Sequence, residues 1–375
     1  MPSYLTALGT ALPPHRYPQA TIAQFMADGM DLDESGRRRL MAIYRSTRIQ
    51  YRHSVLADYG QPNGSYTFYP NTPDLEPFPT VADRMALYRR EALPLAWQAV
   101  AHLQAQLPEA ARALEGITHL ITVSCTGLYA PGLDIELVER LGLPTTVQRT
   151  AINFMGCYGA FNGLKAADAF CRAYPEAKVL LVCVELCSIH FQKHGSDDTM
   201  RANALFADGA AAVLIEPQAR GPVSLELTQF FCDLVPEGQT DMAWQVGNFG
   251  FEMVLSAYIP DLLKRGIGQL LDRLLTSARL RRDAVTYFAV HPGGRAILES
   301  IEQAAGLTAD DNRFSYDVLR DCGNLSSCTV LFVLERIWRQ LGPADHHKTI
   351  LSCAFGPGLT LESALLRICT EGSMA

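Results

Sequence analysis

The sequence predicts a layered α/β fold, and three observations predict it. Short apolar runs rich in β-branched residues alternate with amphipathic stretches along the 375 residues. Several of those runs are nearly unbroken, the mark of strands covered on both faces by helices. Hydrophobic residues make up 48% of the chain and charged residues 19%, which is ample for a buried core and excludes a disordered chain.

Taken in order, residues 60–80 hold five prolines and two glycines and read as a long surface loop. Residues 117–124 (Ile-Thr-His-Leu-Ile-Thr-Val-Ser) read as a buried strand and 134–141 as a helix. Residues 160–174 read as a longer helix that stops before Pro175. The run 179–185 and the run 210–215 read as strands buried on both sides. In the second half, 285–290 reads as a strand, 295–305 as a helix, 326–341 as a helix and 349–354 as a strand. In each half a strand leads to a Gly-containing turn and then a helix, a weak internal echo, with 207–210 and 355–358 as partly corresponding turns. A boundary near 216–221 divides the chain into 1–217 and 218–375, in keeping with roughly 150 residues per domain.

Composition excludes several function classes. The net charge is −7, from 32 basic and 39 acidic residues, with no strong basic run, so no nucleic-acid partner is expected. The arginines at 37, 38, 39, 45, 48 and 52 are a local exception: a solvated helix face, or a hold for a phosphorylated small molecule. No apolar run approaches the ~18–20 residues of a membrane span. The first residues, Met1-Pro2-Ser3-Tyr4-Leu5, lack a secretory pattern, so the cytoplasm is the expected location. The ten cysteines form no Cys-x-x-Cys pair, and no metal is expected. Several sit in apolar runs and read as small buried hydrophobes in a reducing compartment.

Three segments carry chemistry. In Gly156-Cys157-Tyr158-Gly159, the thiol falls at a helix start, where the dipole and free N–H groups favour a thiolate nucleophile; a buried cysteine in a capping turn is the alternative. In Val290-His291-Pro292-Gly293-Gly294, the imidazole falls at the carboxyl end of a strand, where ligands bind in α/β folds. In Gly323-Asn324-Leu325-Ser326-Ser327, Asn324 is either a helix cap or a neutral donor for an oxyanion. Cys, His and Asn together suit acyl transfer, with a thiolate attacking a thioester and two donors stabilising an enolate or a tetrahedral oxyanion. No Gly-x-Ser-x-Gly elbow and no phosphate-binding loop of the Gly-x-x-x-x-Gly-Lys type is present.

These segments in this order resemble the type III polyketide synthases, the chalcone synthase-like family of thiolase-fold condensing enzymes. Gly356-Pro357-Gly358-Leu359-Thr360 and the run 204–212 (Ala-Leu-Phe-Ala-Asp-Gly-Ala-Ala-Ala) strengthen the resemblance, which covers nearly the full length. It implies a homodimer of five-layered αβαβα subunits built from two related halves. The first half carries the nucleophile Cys157, and the second carries His291 and Asn324, which promote malonyl decarboxylation and stabilise the enolate. It further implies an acyl-CoA starter extended iteratively with malonyl-CoA, without an acyl carrier protein and without a cofactor, and ring closure to a pyrone, resorcinol or phloroglucinol. Phe206 falls on the aromatic beside the nucleophile, and Ser326, Gly356 and Pro357 fall on the substrate pocket. CoA-binding cations fall in the 37–52 region, at Arg39 and Arg45.

Departures from the plant pattern bear on product choice. Met253 stands for a gatekeeper Phe, and Ala130 for a Met contributed by the partner subunit. Cys125 and His190 stand for two cavity threonines, and Trp244 for a Gly. The pattern resembles bacterial makers of alkylpyrones, alkylresorcinols and acylphloroglucinols, and an aliphatic starter is the expectation. A ketoacyl-carrier-protein synthase that initiates fatty-acid synthesis is the alternative with the same fold and triad; a catalytically inactive thiolase-fold subunit is the alternative of another class.

Overall fold

A computed structural model describes residues 1–370, except 31, 257 and 258. Strand β1 (Tyr4–Ala11) is followed by β2 (His15–Pro18), helices α1 (Gln19–Gly29) and α2 (Glu34–Ser46), and β3 (Tyr51–Ser54), which pairs back on β2. The long α3 (Val81–Ala105) starts at a Thr80–Asp83 capping box. The first half is completed by β4 (His119–Ser124), α4 (Leu133–Leu141), β5 (Gln148–Asn153), α5 (Gly159–Ala173), β6 (Val179–Leu186), α6 (Asp197–Leu205) and β7 (Asp208–Glu216). The second half begins with β8 (Val223–Leu234) and a hairpin of β9 (Met242–Gly247) and β10 (Gly250–Leu255). It continues through α7 (Ile259–Ser277), β11 (Val285–Val290), α8 (Arg295–Ala305), α9 (Arg313–Cys322), α10 (Thr329–Trp338), β12 (Thr349–Gly356) and β13 (Thr360–Thr370).

The main strands run in the order β11-β12-β13-β8-β1-β7-β6-β4-β5. The two halves repeat one topology. In the first, β1 is antiparallel to β7, β7 antiparallel to β6, and β6 parallel to β4. In the second, β8 is antiparallel to β13, β13 antiparallel to β12, and β12 parallel to β11. The halves meet where Tyr4 and Leu5 of β1 face Glu226 and Leu225 of β8.

Alternation along the strands builds the layers. Leu180, Val182 and Val184 of β6 point to a core shared with α1, α3 and α4, whereas Leu181 and Cys183 point to a core shared with α5 and α10. Ala364 and Leu366 of β13 reach that same central core from the other side, and Leu361 and Leu365 face α7 and α8. The two halves of this continuous nine-stranded sheet therefore enclose a central helical layer and carry an outer helical layer each, the αβαβα arrangement of the thiolase-like fold. Helix α10 is apolar almost all round (Val330, Leu331, Val333 and Leu334 are buried) because it lies between two sheets. Each such Leu contributes about 1.5–3 kcal/mol of burial.

Two elements differ from the sequence expectation. The helix expected over 326–341 is a 3-10 turn at Ser326–Cys328 followed by α10, with Ser326 at φ +51°. The loop over 60–80 is not only a surface feature: Tyr69, Leu75 and Phe78 are buried. Asp58 pins it by accepting the backbone N–H groups of Thr67, Phe68 and Tyr69. Among the described residues no helix is long and apolar enough to cross a membrane.

Candidate active site

The repeated topology brings four segments to one end of the central layer. Cys125 follows β4 and His291 follows β11, at corresponding positions of the two halves. Cys157 precedes α5, and Asn324 precedes the turn into α10. The halves are tied here by backbone bonds, Ala207 N–H to Asn324 O at 2.8 Å and Asn324 N–H to Leu205 O at 2.9 Å.

Cys157 is 7% exposed, with Sγ 4.0 Å from Oδ1 of Asn324. That oxygen accepts the Ser326 backbone N–H at 2.9 Å and the Thr329 hydroxyl at 3.3 Å, so the amide orientation is determined. Nδ2 is left on the Gly293 side, 3.3 Å from that carbonyl. The side chain thus bonds the entry to α10 through Oδ1 and donates to the Gly293 carbonyl through Nδ2.

His291 is completely buried. Its backbone N–H donates to Cys353 O at 2.8 Å, and its ring lies edge-on to Phe355 at 5.5 Å. Neither ring nitrogen has a partner among the described residues. Burial pushes the imidazole pKa down to about 3. Burial also pushes the Cys157 thiol up to about 12, while its contacts with Ser326 and Asn324 lower it and a nearby Glu185 raises it. The helix start favours a thiolate, and desolvation of the buried thiol opposes it.

Gly156 sets the nucleophile's approach. Its φ is +82°, and a Cβ there would lie 2.2 Å from Pro357 Cδ. The Gly-Pro-Gly loop thus packs directly on the residue before Cys157, while Gly156 N–H donates to Cys125 Sγ at 2.9 Å.

Sequence reasoning missed Glu185. It is fully buried under the site, accepting from Cys125 N–H at 3.0 Å, Thr126 Oγ1 at 2.8 Å and the Ser327 hydroxyl. Burial raises its pKa. Its signal was a single carboxylate closing an otherwise apolar strand run, which demands partners.

Cys125, Cys157, Phe206, Trp244, Met253, His291, Asn324, Ser326 and Pro357 together line one cavity. The cavity volume is about 20 Å³, narrow enough that little more than one water centre fits. Gly356 lies behind the wall, where a Cβ would lie 3.2 Å from Cys157 N. His190 lines a neighbouring cavity instead. It donates from Nε2 to Thr126 O at 2.7 Å, accepts Phe251 N–H at Nδ1 and stacks on the Phe251 ring at 4.3 Å, so it shapes the wall without a free polar atom. Ala130 is exposed and lines neither space.

A third cavity of about 250 Å³ shares Leu255, Gly293 and Ile297 with the catalytic one and opens between Ser46, Thr47, Arg201 and Arg295. Arg39 and Arg45 do not line it. Arg39 is drawn to Asp197, 3.3 Å away, and Arg45 sits off the face of α2 that Ile43, Ser46 and Thr47 present to the mouth.

Residues 2–219 match the family "Chalcone and stilbene synthases, N-terminal domain", and 226–370 match its C-terminal counterpart. The chain is 31% identical over 368 residues to an "Alpha-pyrone synthesis polyketide synthase-like Pks18" of Mycobacterium tuberculosis, covering 97% of this chain and 91% of the relative. A "Probable polyketide synthase 1" of Dictyostelium discoideum is 29% identical over 97% of this chain, which spans 11% of that relative's length. The solved structure of "PKS-I from the brown algae Ectocarpus siliculosus" superposes with a TM-score of 0.90 at 30% identity, covering 98% of both chains.

Proposed function

The chain belongs to the chalcone and stilbene synthase family of type III polyketide synthases, and from that premise we propose that it extends an acyl-CoA starter with malonyl-CoA on Cys157. The observation that carries this reading is the convergence of Cys157, His291 and Asn324, from three separate segments, on one buried cavity.

His291 takes the Cys157 proton, and the thiolate attacks the starter thioester carbonyl. The tetrahedral oxyanion collapses, the CoA sulfur leaves with the proton from His291, and the acyl group remains on Cys157. Malonyl-CoA then loses CO₂: the bond between the methylene carbon and the carboxylate breaks, and its electron pair becomes a thioester enolate. The Asn324 Nδ2–H group and the imidazole face the developing enolate oxygen. The enolate carbon attacks the acyl carbonyl, Cys157 leaves as thiolate, and reloading repeats the cycle before ring closure. Decarboxylation itself supplies the carbanion, so the scheme draws on no cofactor. Substrate CoA enters near Thr47 at a mouth lined by Arg201, which also pairs with Asp197 and Asp198, and Arg295, which also pairs with Glu299.

A homodimer is part of the proposal. Strand β5 is an edge strand with Gln148, Arg149, Ala151 and Asn153 exposed, a template for pairing with a second copy. Ala130, exposed on the same side of the chain's β4–α4 segment, is the residue offered to the partner's pocket. Ten unpaired thiols fit a reducing cytoplasm as the location.

The test is a reaction of the purified protein with labelled malonyl-CoA and a panel of CoA starters, read by mass spectrometry. Cyclised polyketides formed without a carrier protein are expected. Malonyl consumption only when an acyl carrier protein is supplied would move the chain to the fatty-acid initiating class. A single species at twice the chain mass in sedimentation is expected for the dimer.

A further inference from the structure

The catalytic cavity holds a second thiol beside the nucleophile. Cys125 and Cys157 both line it. The Cys125 sulfur lies on the peptide that leads into Cys157: it accepts the Gly156 N–H at 2.9 Å and donates to the Gly156 carbonyl at 3.5 Å. We propose that Cys125 and Cys157 form a reversible disulfide under hydrogen peroxide, which switches off the unloaded enzyme and spares its nucleophile from irreversible oxidation. The inference rests on Cys157 being the reactive thiol of the reading above.

Size and position favour this pair. The cavity volume is about 20 Å³, and a water needs about 10–15 Å³. Hydrogen peroxide is little larger than water and reaches Cys157 without moving the wall. The way in is the third cavity, about 250 Å³, which shares Leu255, Gly293 and Ile297 with the catalytic one. An oxidised Cys157 then has two fates: a second peroxide carries it on to the sulfinic acid, or a wall thiol traps it first. A thiol fixed in the wall competes at high effective concentration. Two wall cysteines qualify, Cys125 and Cys187. Cys125 is the one whose sulfur already touches the residue bonded to Cys157. The Cys157 sulfur is held only by a 4.0 Å contact with Asn324 Oδ1, so turning it toward Cys125 breaks no strong bond.

The reaction balances. The Cys157 thiolate attacks one peroxide oxygen and the O–O bond breaks. The departing hydroxide takes the proton held by His291, which leaves the Cys157 sulfenic acid and one water. The Cys125 sulfur attacks the Cys157 sulfur and the S–O bond breaks. That hydroxide leaves with the Cys125 proton as a second water. Two thiols lose two electrons, and one peroxide gains them.

The surroundings of Cys125 keep it out of the normal cycle. Burial and the nearby Glu185 carboxylate hold its thiol well above the ordinary range, and a thiolate on Cys157 raises it further. Cys125 therefore stays protonated while Cys157 is charged and does not compete for the starter thioester. A sulfenic acid carries no charge, so oxidation of Cys157 removes that repulsion when the trapping attack is needed. A loaded acyl group masks the Cys157 sulfur, which confines the switch to the unloaded enzyme.

The test uses the purified, reduced chain exposed to excess hydrogen peroxide, which catalase then removes. Malonyl-CoA incorporation with an acyl-CoA starter is expected to be lost and to return with dithiothreitol, a slender dithiol that follows the route of the thioester arm. Peptide mass spectrometry before reduction is expected to show the peptides carrying Cys125 and Cys157 joined, with loss of two hydrogens. In Cys125→Ser, read against its own untreated activity, recovery is expected to fail and Cys157 to appear as the sulfinic acid. Cys187→Ser is expected to recover to the wild-type fraction of its own untreated activity. A wild-type Cys157 that stays a free thiol, or is found only as sulfinic or sulfonic acid, overturns the proposal. A cross-link to Cys187 overturns it as well, and neither readout depends on the folding of a variant. Untreated protein that makes no polyketide from any starter strikes the synthase reading, whereas active protein without the cross-link strikes only the switch.

Discussion

Ser326 fixes Asn324 end for end, because its backbone N–H donates to Oδ1 at 2.9 Å and leaves Nδ2 as the donor, directed at Gly293 O at 3.3 Å. Asn324→Asp keeps an acceptor for Ser326 and Thr329 and deletes the donor. Malonyl decarboxylation is expected to fall about 100- to 1,000-fold, the usual cost of one oxyanion donor. Melting temperature, measured alongside, is expected to change little. A comparable loss of folding would assign Asn324 to capping alone.

The reactivity of Cys157 depends on His291. With the imidazole present, alkylation of Cys157 by iodoacetamide is expected at neutral pH. In His291→Ala the thiol keeps the burial that raises its pKa and loses the imidazole as proton acceptor. The alkylation profile is therefore expected to move upward, from below the ordinary thiol value of about 8.5 to well above it. An unshifted profile would remove His291 from the proton transfer.

Gly156→Ala places a methyl group against Pro357 and forces a positive φ on a residue with a side chain. Loading of Cys157 is expected to fall by at least about tenfold through displacement of the nucleophile. Acyl transfer from a labelled starter, normalised to folded protein, measures it.

Asp208 gives a pH-dependent stability. It is buried, accepts from Ser188 and Val55, and has its pKa raised from 3.8 to about 6 by burial. A raised acid pKa means that its stabilising contribution is full below about pH 4 and is lost as pH rises through about 6. The stability difference between wild type and Asp208→Asn is expected to shrink over that window by about 3 kcal/mol at most, then level off. Denaturant titrations at a series of pH values measure it; a difference that grows with pH contradicts the assignment.

Strands β4, β6, β7, β11 and β12 were legible because burial on both faces makes their sequences continuously apolar. Strand β13 was not, since Glu362 and Ser363 interrupt it and are accommodated only by partners from elsewhere, Lys165 and the Phe231 carbonyl. Helix α3 was hidden by Pro94 and by a weak contrast between its faces. Cys157, His291 and Asn324 stood out because glycine-rich turns flank each of them. Glu185 and Arg52 did not: the meaning of a buried carboxylate or guanidinium comes from strands and loops distant in the chain. Arg39 and Arg45, which the family resemblance places at CoA, do not line the third cavity, and the charge density of residues 37–52 does not say which cations face it. The place of Trp244 and Met253 in the cavity wall depends on a hairpin whose position over the site no local pattern encodes.

The nucleophile and the amide stand at equivalent helix entries of two repeated halves, so the reacting geometry exists only while those halves keep their alignment. A slip at the seam separates Cys157 from Asn324 long before either hydrophobic layer is exposed. Turnover is thus a more sensitive gauge of tertiary registration than circular dichroism, and partial denaturation silences the enzyme while its helices and strands are still intact.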